Sequence, residues 1–379
     1  MKRTPSPVNP FTPTFGKPPP VLVGREGLIA EFADGLDEGP GAKARATLYG
    51  GARGAGKTVL LNAIEAEAID RGWHVISETA SRHLVEDLAA HHLPRLLAEH
   101  ARRRPIRLTG PPLPAGLGGA TSEVVDGVAA AETLRSLVTD LLRGLKQRGR
   151  GLLITVDELD AAHLDDLSHL GVVLQDAARE HLDLAVAGAG LPASLDALLR
   201  SPRLTILERA SRHALGAVMH GDTRSALEIP IRDGDRSIRD PELEVAASAT
   251  SGYPLMIQLV GHNAWRQRPN RVRISMDDVA MGVAAAERRF EQLVHGPTLR
   301  DLSAVDRAFL VAMADDDGAS RVADVAARMG VDTNFASQYR IRLLRRQVIS
   351  ARRRGYVDFA LPYLRAYVRR HAAMLKVDA

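Results

Sequence analysis

The segment Gly51-Ala52-Arg53-Gly54-Ala55-Gly56-Lys57-Thr58 has the spacing G-x-x-x-x-G-K-[ST]. Glycines carry no Cβ, so successive backbone N–H groups can turn inward and form a nest for phosphate oxygens at the start of a helix. Lys57 would then reach the outer phosphates of a bound nucleotide. The Thr58 hydroxyl is a hard oxygen ligand suited to Mg²⁺. Further along, the apolar run Leu152-Leu153-Ile154-Thr155-Val156 ends in Asp157-Glu158. Carboxylates at the C-terminal edge of a buried strand lie where open α/β sheets bind ligands. Asp157 is expected to hold Mg²⁺ through water, and Glu158 to orient and deprotonate an attacking water.

These residues need a scaffold of strands and helices in alternation, and the sequence supplies one. Arg45 to Gly50 reads as a strand, Lys57 to Arg71 as a helix, and Trp73 to Ser77 as a second strand. Residues 105 to 122 are rich in proline and glycine and read as a loop or hairpin insertion. Thr133 to Gln147 resumes as a helix, followed by strands at Leu152 to Val156 and Leu182 to Ala187. Apolar strands separated by helices indicate a parallel sheet covered on both faces. After residue 215 strands become sparse, and Pro241 to Ser251, Pro254 to Gln267 and Met276 to Val294 read as helices of a lid. The expected fold is thus an α/β P-loop NTPase parallel sheet with a helical lid, followed by a mostly α winged helix domain. The expected divisions are 1–20, a disordered proline-rich tail; 21–215, the nucleotide-binding core; 216–296, the lid; and 297–379, the C-terminal domain, its boundary marked by Gly296-Pro297.

Together these features resemble the AAA+ ATPases, within the clade of archaeal-type ATPases, origin-recognition proteins and the signal-transducing STAND ATPases. The resemblance extends over residues 21 to 379 and implies ATP and Mg²⁺ as ligands. Gly24-Arg25-Glu26 looks like the family's entry motif beside the adenine. Gly252-Tyr253-Pro254 looks like the Gly-x-Pro of STAND lids, whose proline packs on the base. The chain departs from the pattern in two places. The strand at Leu182 to Ala187 runs into Gly188-Ala189-Gly190, where many relatives carry a polar sensor residue, and no arginine directly follows Gly252-Tyr253-Pro254, so the usual second sensor is either missing or supplied elsewhere, with Arg266 as a candidate. Arg209 sits where the family presents an arginine finger to a neighbouring subunit of a homo-oligomer, with Arg203 and Arg212 as rivals.

Charge points to the partner. Residues 297 to 379 hold 14 Arg and 1 Lys against 9 Asp, and within 333 to 370 there are ten arginines and one acid, Asp358. Asp306 to Ala314 reads as a first helix, a second is capped by Ser320 and ends at Gly330, and a third starts at Asp332 or Thr333. On the third helix Ala336, Tyr339 and Leu343 face inward, and Asn334, Ser337, Gln338 and Arg345 outward, as a set suited to base edges and phosphates. Val348 to Ser350 and Tyr356 to Ala360 would pair as the wing, with Arg352, Arg353 and Arg354 at its tip. Double-stranded DNA is the expected partner. The alternative is a STAND-like, slowly hydrolysing signalling or defence switch whose winged helix contacts a protein.

Composition excludes other chemistries. With no cysteine there are neither disulfides nor thiolate metal sites. The 13 histidines lack metal-ligand spacing. No apolar run is long enough to span a membrane, so a cytoplasmic location is expected.

Overall fold

The computed structural model describes residues 8–14, 17–102, 127–201, 204 and 209–377. The expected insertion at 105–122 lies outside them. Helix α1 (Glu26–Glu38) leads into β1 (Ala46–Gly51), α2 (Lys57–Asp70) and β2 (His74–Thr79). Short α3 (Leu84–Asp87) joins α4 (Leu93–Arg102) through a π turn, and α5 (Gly127–Lys146) precedes β3 (Leu152–Asp157). Then follow α6 (Leu164–Arg179), β4 (Leu184–Gly190), α7 (Pro192–Leu199) and β5 (Ser211–Leu215).

The five strands form one parallel sheet in the order β2-β3-β4-β1-β5. Alternation along β3 shows why both faces are covered: Leu152, Ile154 and Val156 join a core with Leu134, Val138, Leu141 and Leu167, whereas Leu153 joins the opposite one with Phe32, Leu60 and Ile64. A strand buried on both faces is mostly apolar, the one buried hydroxyl, Thr155, being hydrogen-bonded to Glu65, and the first charged residues fall at its end, where Asp157 and Glu158 stand.

The lid consists of α8 (His220–Asp233), β6 (Ser237–Ile238), α9 (Asp240–Thr250), α10 (Pro254–Gln267), β7 (Arg273–Ile274) and α11 (Met276–Phe290). At Gly296-Pro297 the backbone stays helical: from α11 the chain continues through a π turn at Glu291–His295 straight into α12 (Gly296–Arg300). The C-terminal unit is α13 (Ala304–Ala314), β8 (Ser320–Arg321), α14 (Val322–Met329), α15 (Thr333–Arg345), β9 (Ile349–Arg353), β10 (Tyr356–Phe359), α16 (Leu364–Arg370) and α17 (Ala372–Val377). Its strands form a sheet in the order β8-β10-β9. Lid and C-terminal unit share one continuous apolar core, from Trp265 and Phe290 to Phe309 and Leu364.

Within the proline-rich leader, residues 8–14 pack where a disordered tail was expected. Phe11 is 1% exposed, its ring seated where a Cβ on Gly261 would come within 2.4 Å. Asn9 Nδ2 donates to the His262 carbonyl at 3.1 Å, and Thr12 N–H to Gln258 Oε1 at 3.2 Å. One aromatic ring and a glycine notch in α10 therefore dock a segment whose composition argues for an extended tail. Phe11→Ala is expected to free this strap while the lid stays folded, raising amide exchange at Phe11 and Thr12 by about tenfold or more. Hydrogen-exchange mass spectrometry checks it, and unchanged protection would mean that the ring does not hold the strap.

Candidate nucleotide site

The phosphate loop joins β1 to α2. Gly54 and Gly56 take φ of 79° and 90°, the left-handed conformation that glycine adopts without a Cβ penalty. Lys57 opens α2, with its Nζ donating to the carbonyls of Gly51 at 2.9 Å and Ala52 at 3.3 Å. Burial pulls its pKa below the ordinary lysine value, opposed by the nearby carboxylates Asp157, Asp160 and Glu158.

Parallel pairing of β3 with its neighbours brings Asp157 level with the start of α2. Thr58 Oγ1 donates to Asp157 Oδ2, so the two groups expected at Mg²⁺ are in direct contact. A hydroxyl, one carboxylate and phosphate oxygens suit a cation that keeps several waters and takes few protein ligands. The other carboxylate oxygen of Asp157 accepts the Glu158 N–H at 2.8 Å. Glu158 has a φ of 52° and an exposed side chain; a positive φ in a residue other than glycine marks a backbone held by its surroundings.

The expected base-side residues also converge. Gly24 packs against Val218, whose Cγ1 would lie 3.0 Å from a Cβ there. Arg25 Nη2 donates to the Gly216 carbonyl at 2.6 Å. Val218 N–H in turn donates to the Gly252 carbonyl at 2.7 Å, and a Cβ on Gly252 would meet Val218 O at 2.2 Å. Pro254 begins α10 beside the loop, 3.8 Å from where a Cβ on Gly56 would be. Tyr253 donates its hydroxyl to the Arg53 carbonyl at 2.6 Å, and Leu255 N–H donates to Gly54 O at 3.2 Å.

Leu159 fills the space beside Gly188, where a Cβ would lie 2.4 Å from Leu159 Cδ1. Asp160, which the sequence reading passed over, brings a carboxylate to this edge and accepts the Leu191 N–H at 3.2 Å. Its signal was the second acid two residues after Glu158. Arg266 lies twelve residues after Pro254 on α10, about 18 Å along the helix axis, and contacts His262. Arg209 is exposed, two residues before β5, the edge strand beside β1; Arg212 lies in β5 itself, and Arg203 is outside the described residues.

On the C-terminal unit, Asp332 caps α15 by accepting the Phe335 N–H at 2.9 Å. Asn334, Gln338 and Arg345 are exposed, whereas Ser337 and Tyr339 are half-buried. Ser320 does not cap α14. It lies in β8 and donates to the Met313 carbonyl at 3.2 Å, and Arg321 holds the cap position. The tip of the β9–β10 hairpin is Arg354-Gly355, with Arg352 and Arg353 inside β9. Arg352 lies 3.4 Å from Asp358 and Arg353 stacks 3.8 Å over the Tyr356 ring. Several other arginines are consumed internally: Arg342 by Asp306, Arg365 by Asp358, Arg369 by Asp317 and Arg370 by Glu291. The exposed positive surface is therefore narrower than the charge count implies.

Residues 21–187 match the AAA ATPase domain family, and residues 292–368 match a domain of unknown function, DUF8462. No curated protein sequence matches significantly. The fold is similar to that of a Walker-type ATPase of Pyrococcus abyssi, at 16% identity and a TM-score of 0.66 over 92% of this chain and 96% of that one. It is also similar to the ORC2 protein of Aeropyrum pernix in its ADPNP–ADP complexes, at 17% identity and a TM-score of 0.61 over 96% of this chain and 97% of that one. At such identities the likeness is one of fold. Among the described residues, no helix is long and apolar enough to cross a membrane.

Proposed function

We propose that the chain, whose residues 21–187 match the AAA ATPase domain family, binds Mg-ATP at Gly51 to Thr58, hydrolyses it, and couples nucleotide state to duplex DNA through a C-terminal winged helix. The observation that carries this reading is the contact of Thr58 with Asp157 beside Lys57 and Glu158. Lys57 binds the outer phosphates and Glu158 takes the proton of the attacking water, which Asp157 keeps in register through its bond to the Glu158 amide. Bound Mg²⁺ would neutralise charge on the transferring phosphoryl group. Arg209 is exposed and available to a neighbouring subunit of a homo-oligomer, where an added cation stabilises the same charge.

The DNA side rests on exposed Asn334 and Gln338 beside Arg345 on α15, with Arg352, Arg353 and Arg354 on the adjoining hairpin. Arg345 also lies 4.0 Å from Asp196 on α7 of the core. The helix offered to DNA thus borders the nucleotide-binding domain, which gives nucleotide state a physical route to its exposure. Duplex affinity is expected to fall steeply with salt, and the triple replacement of Arg352, Arg353 and Arg354 by Ala to reduce the log–log salt slope by about 3. Fluorescence anisotropy at a series of salt concentrations measures this; an unchanged slope would remove the hairpin from the interface.

A slowly hydrolysing switch with a protein partner is favoured by one observation, the apolar filling of Leu159 against Gly188 at the sensor position. The turnover rate with and without duplex DNA separates the two readings. Stimulation by DNA supports the coupled ATPase. Tightly held nucleotide with negligible turnover and no DNA response supports the switch.

A further inference from the structure

We propose that Arg346 is a ligand of the nucleotide's terminal phosphate, contributed in cis by the C-terminal unit, so that the end of α15 distinguishes a triphosphate from a diphosphate. This rests on the reading of Gly51 to Thr58 as the ATP site. The lid supplies uncharged groups to the loop, the Tyr253 hydroxyl and the Leu255 amide, and its Arg266 points to a distant contact with His262. Charged neighbours of the loop come from beyond the lid instead. Asp301, following α12, pairs through Oδ2 with Arg53 Nη2 at 3.0 Å. Arg346 Nη1 donates to the backbone carbonyl of the same Asp301 at 2.7 Å. Gln347 Oε1 accepts the Ala52 N–H of the loop itself at 3.1 Å.

Two further observations bear on Arg346, the second of which sets it apart from the other arginines with a buried Nε. Its Nε is buried with no hydrogen-bond partner, although a guanidinium is a planar fork of five donors suited to bidentate phosphate binding. It also lines a cavity of about 430 Å³ that runs from Ala52 and Arg53 of the loop, past Asp160 and Leu191 at the end of β4, to the end of α15. Of the carboxylates near Lys57, Asp160 lines that cavity. The backbone fixes the arrangement: Gln347 has a φ of 54°, a left-handed helix ending that is uncommon outside glycine and asparagine, and it turns Arg346 and Gln347 together toward the loop. A terminal phosphate reaching this cavity would draw the Arg346 guanidinium off Asp301, offering it a bidentate acceptor and pulling α15 against the core, whereas a diphosphate would leave Arg346 on Asp301.

The test compares Mg²⁺ complexes of fluorescent ADP and of a fluorescent non-hydrolysable ATP analogue, binding to the full chain and to Arg346→Ala, Arg346→Gln and Arg346→Lys. The expected result is a loss of analogue affinity of about tenfold or more in the Ala and Gln variants, with ADP affinity within about twofold of the native chain and partial recovery in the Lys variant. Preserved ADP affinity shows that the variants are folded. Equal weakening of both nucleotides, or of neither, overturns the assignment of Arg346 while leaving the ATP site intact. If the native chain binds neither nucleotide, the site reading fails and the proposal with it.

Discussion

Glu158→Gln is expected to leave Mg-ATP affinity within about twofold and to lower turnover by about 10²–10⁴-fold, the usual contribution of a positioned general base. The change removes a proton acceptor without altering side-chain length. It leaves untouched the bond from the Glu158 amide to Asp157 Oδ1, which uses the backbone. Lys57→Ala should act differently, because Lys57 is a binding group; there the loss appears in affinity. Asp160 is the rival base, since it sits at the same sheet edge and is exposed, but its carboxylate is committed to the Leu191 amide. Steady-state phosphate release, with binding measured separately, resolves the roles. If Glu158→Gln turns over at the native rate while Asp160→Asn does not, the base has been misassigned.

What the sequence made legible, and what it did not, follows from the range of the interactions involved. The phosphate loop and β3 are local: the glycines, Lys57 and Thr58 are contiguous, and an apolar run buried on both faces announces itself through composition. β3 accordingly spans Leu152–Asp157, with the expected strand inside it. β5 was missed because Ser211-Arg212-His213-Ala214-Leu215 has polar residues in mid-strand, and it is a strand because it pairs with β1 at the sheet edge. Long-range contacts left no local signal at all. Nothing in the neighbourhood of Gln347 announces that it meets Ala52, nor near Asp301 that it meets Arg53. The docking of Phe11 on Gly261 is of the same kind. Charge counting misled in the opposite direction: the ten arginines between 333 and 370 were legible, but their partners Asp306, Asp317 and Glu291 lie outside that window.

Acidification from pH 7 to pH 5 is expected to weaken the junction of lid and C-terminal unit through His295. This side chain is fully buried between Phe290 and Tyr367, with ring centroids 5.1 and 5.2 Å away. Its Nε2 is 2.7 Å from the Pro362 carbonyl, and Nδ1 has no partner. Burial lowers its pKa from 6.5 to about 4, outweighing the Pro362 carbonyl and Glu291, which raise it, while Arg370 lowers it further. The depressed value means that the native state refuses a proton which the unfolded chain accepts. Above pH 6.5 both are neutral and the residue costs nothing; as pH falls from there toward 4, stability is lost progressively, and below 4 the loss levels off. At about 1.4 kcal/mol per pKa unit, the fall from pH 7 to pH 5 costs just under about 2 kcal/mol, roughly a 20-fold rise in the unfolding equilibrium constant. His295→Gln keeps an amide donor for the Pro362 carbonyl but cannot titrate, so its urea midpoint should fall less between pH 7 and pH 5 than that of the native chain. Parallel acid dependences for the two proteins would locate the proton uptake at another histidine. Because His295 lies in the helical run that carries α12 and Asp301 toward Arg53, the same acid step should also loosen the contact between the C-terminal unit and the phosphate loop, detectable as faster amide exchange at Ala52.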